Sequence, residues 1–212
     1  MTNFEEEEMP SCLDKGRIEA LTDGIFAFAM TLLVINIEVP ESSFALSPYV
    51  LLTNLHSDFL QYMIAFLALS GLWIAHHQQY NYFKSVDHWM VGLNISSLLL
   101  IALMPFSTQF ADTYPADDTA SAFFGLNLFF IGLLYTLQWI YATRDHRMVS
   151  PALKQDLISR ILWKNMLIPA ISLLVVILSL LNVPWVSGLY FSIPLIFMVM
   201  HGYRSANKGS GR

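Results

Sequence analysis

Residues 17–39, RIEALTDGIFAFAMTLLVINIEV, form a long apolar run that carries Arg17 at its start and Asp23 about two helical turns further in. A run of this length matches the roughly 17 to 25 residues that a helix needs to cross a bilayer. An ionisable side chain costs on the order of 2.5 to 3.5 kcal/mol at the centre of a membrane helix, and less toward the interface, so it turns to protein or water rather than to lipid. Asp23 therefore requires a partner from another helix, and the fold must supply one.

Helical spacing divides the run into faces, because each residue advances by about 100° around the axis. Phe28, Thr31, Leu32 and Ile35 fall at i, i+3, i+4 and i+7 and make one nearly apolar stripe. Asp23 lies about 140° from Phe28, on a face shared with Ala27, Met30 and Val34. The spacing predicts that the Asp23 face bonds to neighbouring helices. Pattern alone leaves the Phe28 stripe open: it suits a lipid-facing or packed surface as well as the wall of a path through the membrane.

The rest of the chain is built like this run. Hydrophobic residues are 55% and charged residues 13% of 212, too apolar for a water-soluble domain. Further apolar segments run from about Tyr49 or Asp58 to Tyr82, Trp89 to Phe110, Ala120 to Thr143, Ile161 to Asn182 and Trp185 to Tyr203, with Pro105, Pro169 and Pro194 inside three of them. Pro105 is expected to kink its helix. The fold class is thus an all-α membrane protein with six transmembrane helices. Residues 15–205 form the membrane domain, 1–14 an acidic solvated tail around Glu5 to Glu8, and 206–212 a C-terminal tail whose last four residues read as an expression scar. The acidic, polar start does not resemble a cleavable signal peptide.

Six crossings put both termini, the second-to-third loop and the fourth-to-fifth loop on one side. All eleven Lys and Arg residues fall there, so the positive-inside rule makes both termini cytoplasmic. The other side carries Glu38, Glu41, Asp58, Asp112, Asp117 and Asp118. Glu38 and Glu41 are candidates for raising the local cation concentration at an outer surface, within about a Debye length; a plain hydrated loop surface is the alternative. Net charge is −5, and no basic face for nucleic acid is visible. The single cysteine, Cys12, rules out an intramolecular disulfide and reads as an inert thiol.

Asp23, the motif Trp73-Ile74-Ala75-His76-His77 and Asn94 all lie toward the cytoplasmic ends of the first three spans. Polar groups at that depth must satisfy one another, which predicts a cross-helix network of Arg17, Asp23, Trp73, His77 and Asn94. Three chemistries fit it. A metal site is disfavoured because His76 and His77 point about 100° apart on a helix. A proton relay is compatible with histidine titrating near neutrality. A structural clamp on the first helix needs nothing further.

RIEALTDGIF resembles the signature of the transmembrane protein 175 family of potassium channels, in which an Arg is followed after three residues by Phe-Ser-Asp. Arg17 and Asp23 stand at that spacing, with Leu21 and Thr22 in place of the Phe and Ser. LWIAHH at residues 72–77 and LNISSLLLIALMPFST from Leu93 are similar to that family's second and third helices. The resemblance implies a potassium-preferring cation channel, a homotetramer with the first helix of each subunit lining the pore, and the network residues holding that helix in place. Its pore stripe maps onto Phe28, Thr31, Leu32 and Ile35, where Phe28 replaces a smaller aliphatic residue. Stacked apolar rings of this kind can gate by excluding water. There is no TVGYG filter sequence, so selectivity is expected to be modest.

No nucleophile elbow, zinc-protease motif, phosphate loop or paired membrane carboxylates mark an enzyme. The expectation is no cofactor and no metal, with K+ as the permeant ion. The expected partners are the lipid bilayer, monovalent cations and further copies of the chain in a plasma membrane. A proton-coupled transporter or proton pathway using Asp23 and His77 is the rival, although no internal repeat is evident. A scaffold presenting its loops is the third, and the loops are short.

Overall fold

The computed structural model describes residues 14–39, 47–114, 117–181 and 183. Within them the long elements are all helices, namely α1 (Lys15–Ile35), a short α2 (Pro48–Asn54), α3 (His56–Tyr80), α4 (His88–Thr113), α5 (Asp118–Thr143) and α6 (Gln155–Leu180), and one isolated antiparallel bridge, Phe83 to Val149, joins two of the connections. All but α2 are long and apolar enough to cross a membrane, giving five described spans. The sixth expected span, Trp185 to Tyr203, lies outside the described residues, as do Cys12, Glu41, the acidic tail and the C-terminal tail.

Helix starts follow from side chains that satisfy otherwise orphaned N–H groups. Asp14 accepts from Gly16 N at 2.9 Å, Asp87 from Met90 N at 2.9 Å and Asp117 from Thr119 N at 2.8 Å. The Thr119 amide holds the Asp117 carboxyl below its ordinary pKa. The second apolar segment, expected as one helix, divides at Leu55 into α2 and α3: Pro48 starts α2 in its first turn and Ser47 caps it. The fifth begins at Gln155 rather than Ile161, because its first polar turns extend beyond the apolar window that marked it. The helix at Pro105 continues unbroken through His88–Thr113.

Contacts cross between α5 and α6, α4 and α5, and α1 with both α3 and α4. Gly132 lets α5 approach α6 closely, since a Cβ there would stand 2.6 Å from Pro169 Cδ and 2.9 Å from Pro169 N of α6. One core, around Phe26, Leu69, Ile101, Met104 and Ile131, fills the middle of the bundle. A second, around Tyr80, Phe83, Met90, Trp139 and Val149, closes one end. At that end Lys15 Nζ donates to Phe83 O at 3.1 Å, Lys84 N to Met148 O at 2.8 Å, and Trp139 Nε1 to Ile158 O at 3.0 Å. The start of α1, the α3–α4 turn and the α5–α6 connection therefore share one end of the bundle, where the described Lys and Arg residues congregate.

Candidate functional site: the two faces of α1

The buried stripe of α1 is Ile18, Thr22, Phe26, Ala29 and Leu33. It corrects the expected bundle face: Ala27 and Val34 are exposed, Met30 is half-buried, and Asp23 sits at the edge of the packed stripe. The physical reason is period. Thr22 is in register with Phe26, Ala29 and Leu33 at steps of three and four, whereas Asp23 is one residue, or about 100°, off.

Two separate polar contacts hold this face. In the buried one, Asn94 of α4 donates from Nδ2 to Thr22 Oγ1 at 3.0 Å, and its Oδ1 is 3.0 Å from His76 Nε2 of α3. With the amide nitrogen committed to Thr22, Asn94 Oδ1 is the acceptor and His76 carries its proton on Nε2. His76 also stacks on Tyr80, ring centroids 4.0 Å apart, and tilts against Tyr135 at 5.7 Å. In the second contact, Trp73 Nε1 donates to Asp23 Oδ1 at 2.7 Å and the indole stacks on His77 at 5.5 Å. Further along, Asn36 Nδ2 donates to Pro105 O at 3.0 Å and ties the C-terminal end of α1 to α4.

The expected five-residue network is therefore not one network. Asp23 and Trp73 meet as anticipated, and Asn94 is fully buried at the same level. His76 takes the place expected of His77 beside Asn94, because His76 lies four residues after Leu72 on the buried stripe of α3 while His77 follows the half-buried Trp73. Arg17 is exposed and, among the described residues, makes no hydrogen bond or ion pair within the chain. It lies six residues, and so about 120°, from Asp23 around the helix. Thr22 and His76 were missed as site residues, though membership of the apolar stripes at i±4 was the signal that could have found them.

The opposite face is bare. Phe28 is 62% and Ile35 68% exposed, Thr31 is exposed and Leu32 half-buried. Arg17, Leu21 and Gly24 extend the same face toward the N-terminus. The Thr31 hydroxyl donates to Phe28 O at 2.8 Å, which keeps its proton on the helix and turns oxygen lone pairs outward. Glu38 is exposed just beyond the end of this face. One helix is thus held from behind by buried hydrogen bonds and presents an apolar ladder with one hydroxyl in front.

Fold and site define an all-α integral membrane protein. The profile described as "Endosomal/lysosomal potassium channel TMEM175" matches residues 17–105, from α1 through most of α4. A protein of Streptomyces collinus named as a potassium channel is 30% identical over 142 residues, covering 65% of this chain and 69% of the relative. The chain belongs to the TMEM175 family, a family of ion channels and not of enzymes. The crystal structure titled as a lysosomal potassium-selective channel TMEM175 homolog from Chamaesiphon minutus superposes with a TM-score of 0.76 at 25% identity, over 88% of this chain and 97% of that one. The chicken protein named endosomal/lysosomal proton channel TMEM175 is 31% identical over 110 residues, which are 48% of this chain but 22% of that protein.

Proposed function

We propose that this chain is one subunit of a potassium-preferring cation channel, in which copies of α1 surround a pore lined by Phe28, Thr31, Leu32 and Ile35. The observation that carries the reading is the bare face of α1. A helix fixed at its back by buried polar bonds can turn a nearly apolar front to lipid or to a pore, and the family favours the pore. Four copies form stacked rings, and the narrowest excludes water when closed. Thr31 contributes the one hydroxyl of the stripe. With no carbonyl filter, preference for K+ comes from the lower dehydration cost of the larger ion, and is modest. Support also comes from the family and from bacterial relatives named as potassium channels.

In this reading the subunits form a homotetramer in the plasma membrane, with both termini cytoplasmic, and Glu38 and Glu41 flank the outer mouth. The Thr22–Asn94–His76 layer and the Asp23–Trp73–His77 contact, with Arg17 at the inner end of the pore face, anchor and terminate the conducting helix. The test is K+ flux into liposomes carrying the purified protein, repeated with Na+ and without a proton gradient. Passive, non-saturating flux that favours K+ supports the channel. Flux that requires protons favours the second reading, a proton pathway using Asp23 and His77, which the names of the vertebrate relatives motivate.

A further inference from the structure

At the end of the bundle where the described lysines and arginines gather, two connections that are far apart in the chain are fastened together. Lys84 N of the α3–α4 turn donates to Met148 O of the α5–α6 connection at 2.8 Å, beside the bridge of Phe83 and Val149. Phe83, Met148 and Val149 are buried, while Lys84 and Arg147 are exposed. The bond sets the two segments side by side, so one ammonium and one guanidinium leave the same small stretch of backbone.

Arg147 is held in advance of any ligand. Its guanidinium carbon stands 4.8 Å from the centre of the Tyr141 ring. The Tyr141 hydroxyl donates to Asp87 Oδ2 at 2.6 Å, and Asp87 Oδ1 accepts from Met90 N at 2.9 Å, so this carboxylate is engaged on both oxygens. A guanidinium lying on a ring uses its face there and leaves its in-plane N–H donors to other groups. The turn that carries it holds Asp145 and His146 at φ 51° and 53°, a conformation that residues with side chains adopt only where their surroundings impose it. Arg147 N and Met148 N close that turn on Arg144 O and Ala142 O, both at 3.0 Å. Other carboxylates at this end have partners as well: Glu19 pairs with Lys15 at 3.5 Å and Asp145 with Arg144 at 4.0 Å. Among the described residues neither Lys84 nor Arg147 forms an ion pair.

We propose that Lys84 and Arg147 bind the phosphate of one anionic phospholipid from the leaflet at this end, with Tyr141 and Asp87 positioning the guanidinium. The level suits a headgroup. Trp89, two residues beyond Asp87, is 77% exposed, and Trp163 on α6 is 70% exposed. Indoles placed so mark the boundary between hydrocarbon and headgroups. The guanidinium fork meets two phosphate oxygens at once, and the lysine adds a point charge. Two cations without counter-charges favour a phosphodiester whose headgroup carries no cation, since a choline would set a third positive charge against them. The bound lipid clasps the joint between the α3–α4 turn and the α5–α6 connection. Its binding does not depend on the channel reading.

The test titrates the purified full-length protein in detergent with phosphatidylglycerol or with phosphatidylcholine of the same acyl chains, and counts bound lipid by native mass spectrometry. Phosphatidylglycerol should bind more than about fivefold tighter, and Arg147→Gln and Lys84→Gln should each remove about fivefold of that affinity, the increment expected per basic residue near a membrane surface. Phosphatidylcholine binding should stay as it is. Arg147→Lys keeps the charge without the fork and should recover only part of the loss. Tyr141→Phe, which keeps the ring and drops the bond to Asp87, should weaken binding less than Arg147→Gln. Both cations are exposed, so the lipid-free melting temperatures of their variants should match the wild type, which separates lost binding from lost folding. Equal affinity for the two lipids overturns the proposal. So does a loss in Arg144→Gln, an exposed cation of the same connection, as large as in Arg147→Gln, because that is the mark of diffuse attraction. Displacement of the lipid by millimolar inorganic phosphate also overturns it, by assigning the pair to a soluble anion.

Discussion

α1 and α5 are equally apolar and are used in opposite ways. Their most apolar stretches have mean hydropathies of 1.8 and 1.7, yet 28% of that stretch is buried in α1 and 61% in α5. α5 is enclosed because its small and polar residues point inward. Gly132 admits Pro169 of α6, while Asn127 donates to Leu100 O at 3.2 Å and Gln138 to Leu93 O at 3.3 Å of α4. α1 meets α3 and α4 on one side only. Hydropathy therefore decides which segments enter the membrane. The placement of amides, hydroxyls and glycines decides which faces the subunit keeps for itself, since lipid offers no hydrophobic drive for one apolar face over another.

The largest effect that can break this contrast is expected at Gly132. Alanine there meets the Pro169 ring and backbone nitrogen, which have little room to give, so Gly132→Ala should destabilise the protein by about 1 to 3 kcal/mol. Thermal unfolding in detergent, followed by tryptophan fluorescence, checks it. Gly92→Ala is the control: nothing lies within 4 Å of the place its new methyl group would take, and removing a helix-interior glycine should stabilise by roughly 0.5 to 1 kcal/mol. Equal melting temperatures for the two variants would show that α5 and α6 do not approach this closely.

Next in size is Asn94→Leu, which removes both bonds of the buried layer. The expected cost is about 1 to 2 kcal/mol: His76 loses its partner, while the Thr22 hydroxyl can turn back to its own helix. Flux should fall with it, because α1 loses its deepest fixation. A variant with normal stability but no flux would instead assign Asn94 to conduction itself.

Leu32→Ala and Phe28→Ala probe the bare side of α1. Their side chains are half-buried and exposed in the subunit, so truncation should barely change the stability of the monomer. If the stripe lines the pore, it should raise K+ conductance through a wider, wetter constriction. Unchanged currents in both variants remove this stripe from the pore.

The division between these helices explains what the sequence disclosed. Span positions follow from apolar length, so four of the described spans begin or end within a few residues of where composition places them, and α6 departs only where its first turns turn polar. The Asp23–Trp73 contact was legible because a carboxylate in an apolar run must find a donor. The Asn94 partnership was legible in kind but assigned to the wrong histidine. Between adjacent residues on a helix only the register of the buried stripe decides, and on α3 that register runs through Leu69, Leu72 and His76. The break at Leu55 was hidden because both sides of it are apolar and helix-forming.

The smallest expected effect is at Trp73, and it bears most directly on the rival reading. Its indole N–H donates to a carboxylate that is itself exposed, so Trp73→Phe should cost no more than about 1 kcal/mol of stability. Asp23→Asn keeps an acceptor oxygen for the indole and removes only the charge. If Asp23 serves to position α1, Asn should preserve K+ flux nearly intact while Trp73→Phe lowers it modestly. If Asp23 exchanges protons, the order reverses: Asn cannot take up or release a proton in this range, and flux driven by a pH gradient disappears while Trp73→Phe retains it. Measuring both variants under a K+ gradient and a pH gradient thus decides whether the edge of the clamped face merely holds α1 in place or takes part in conduction.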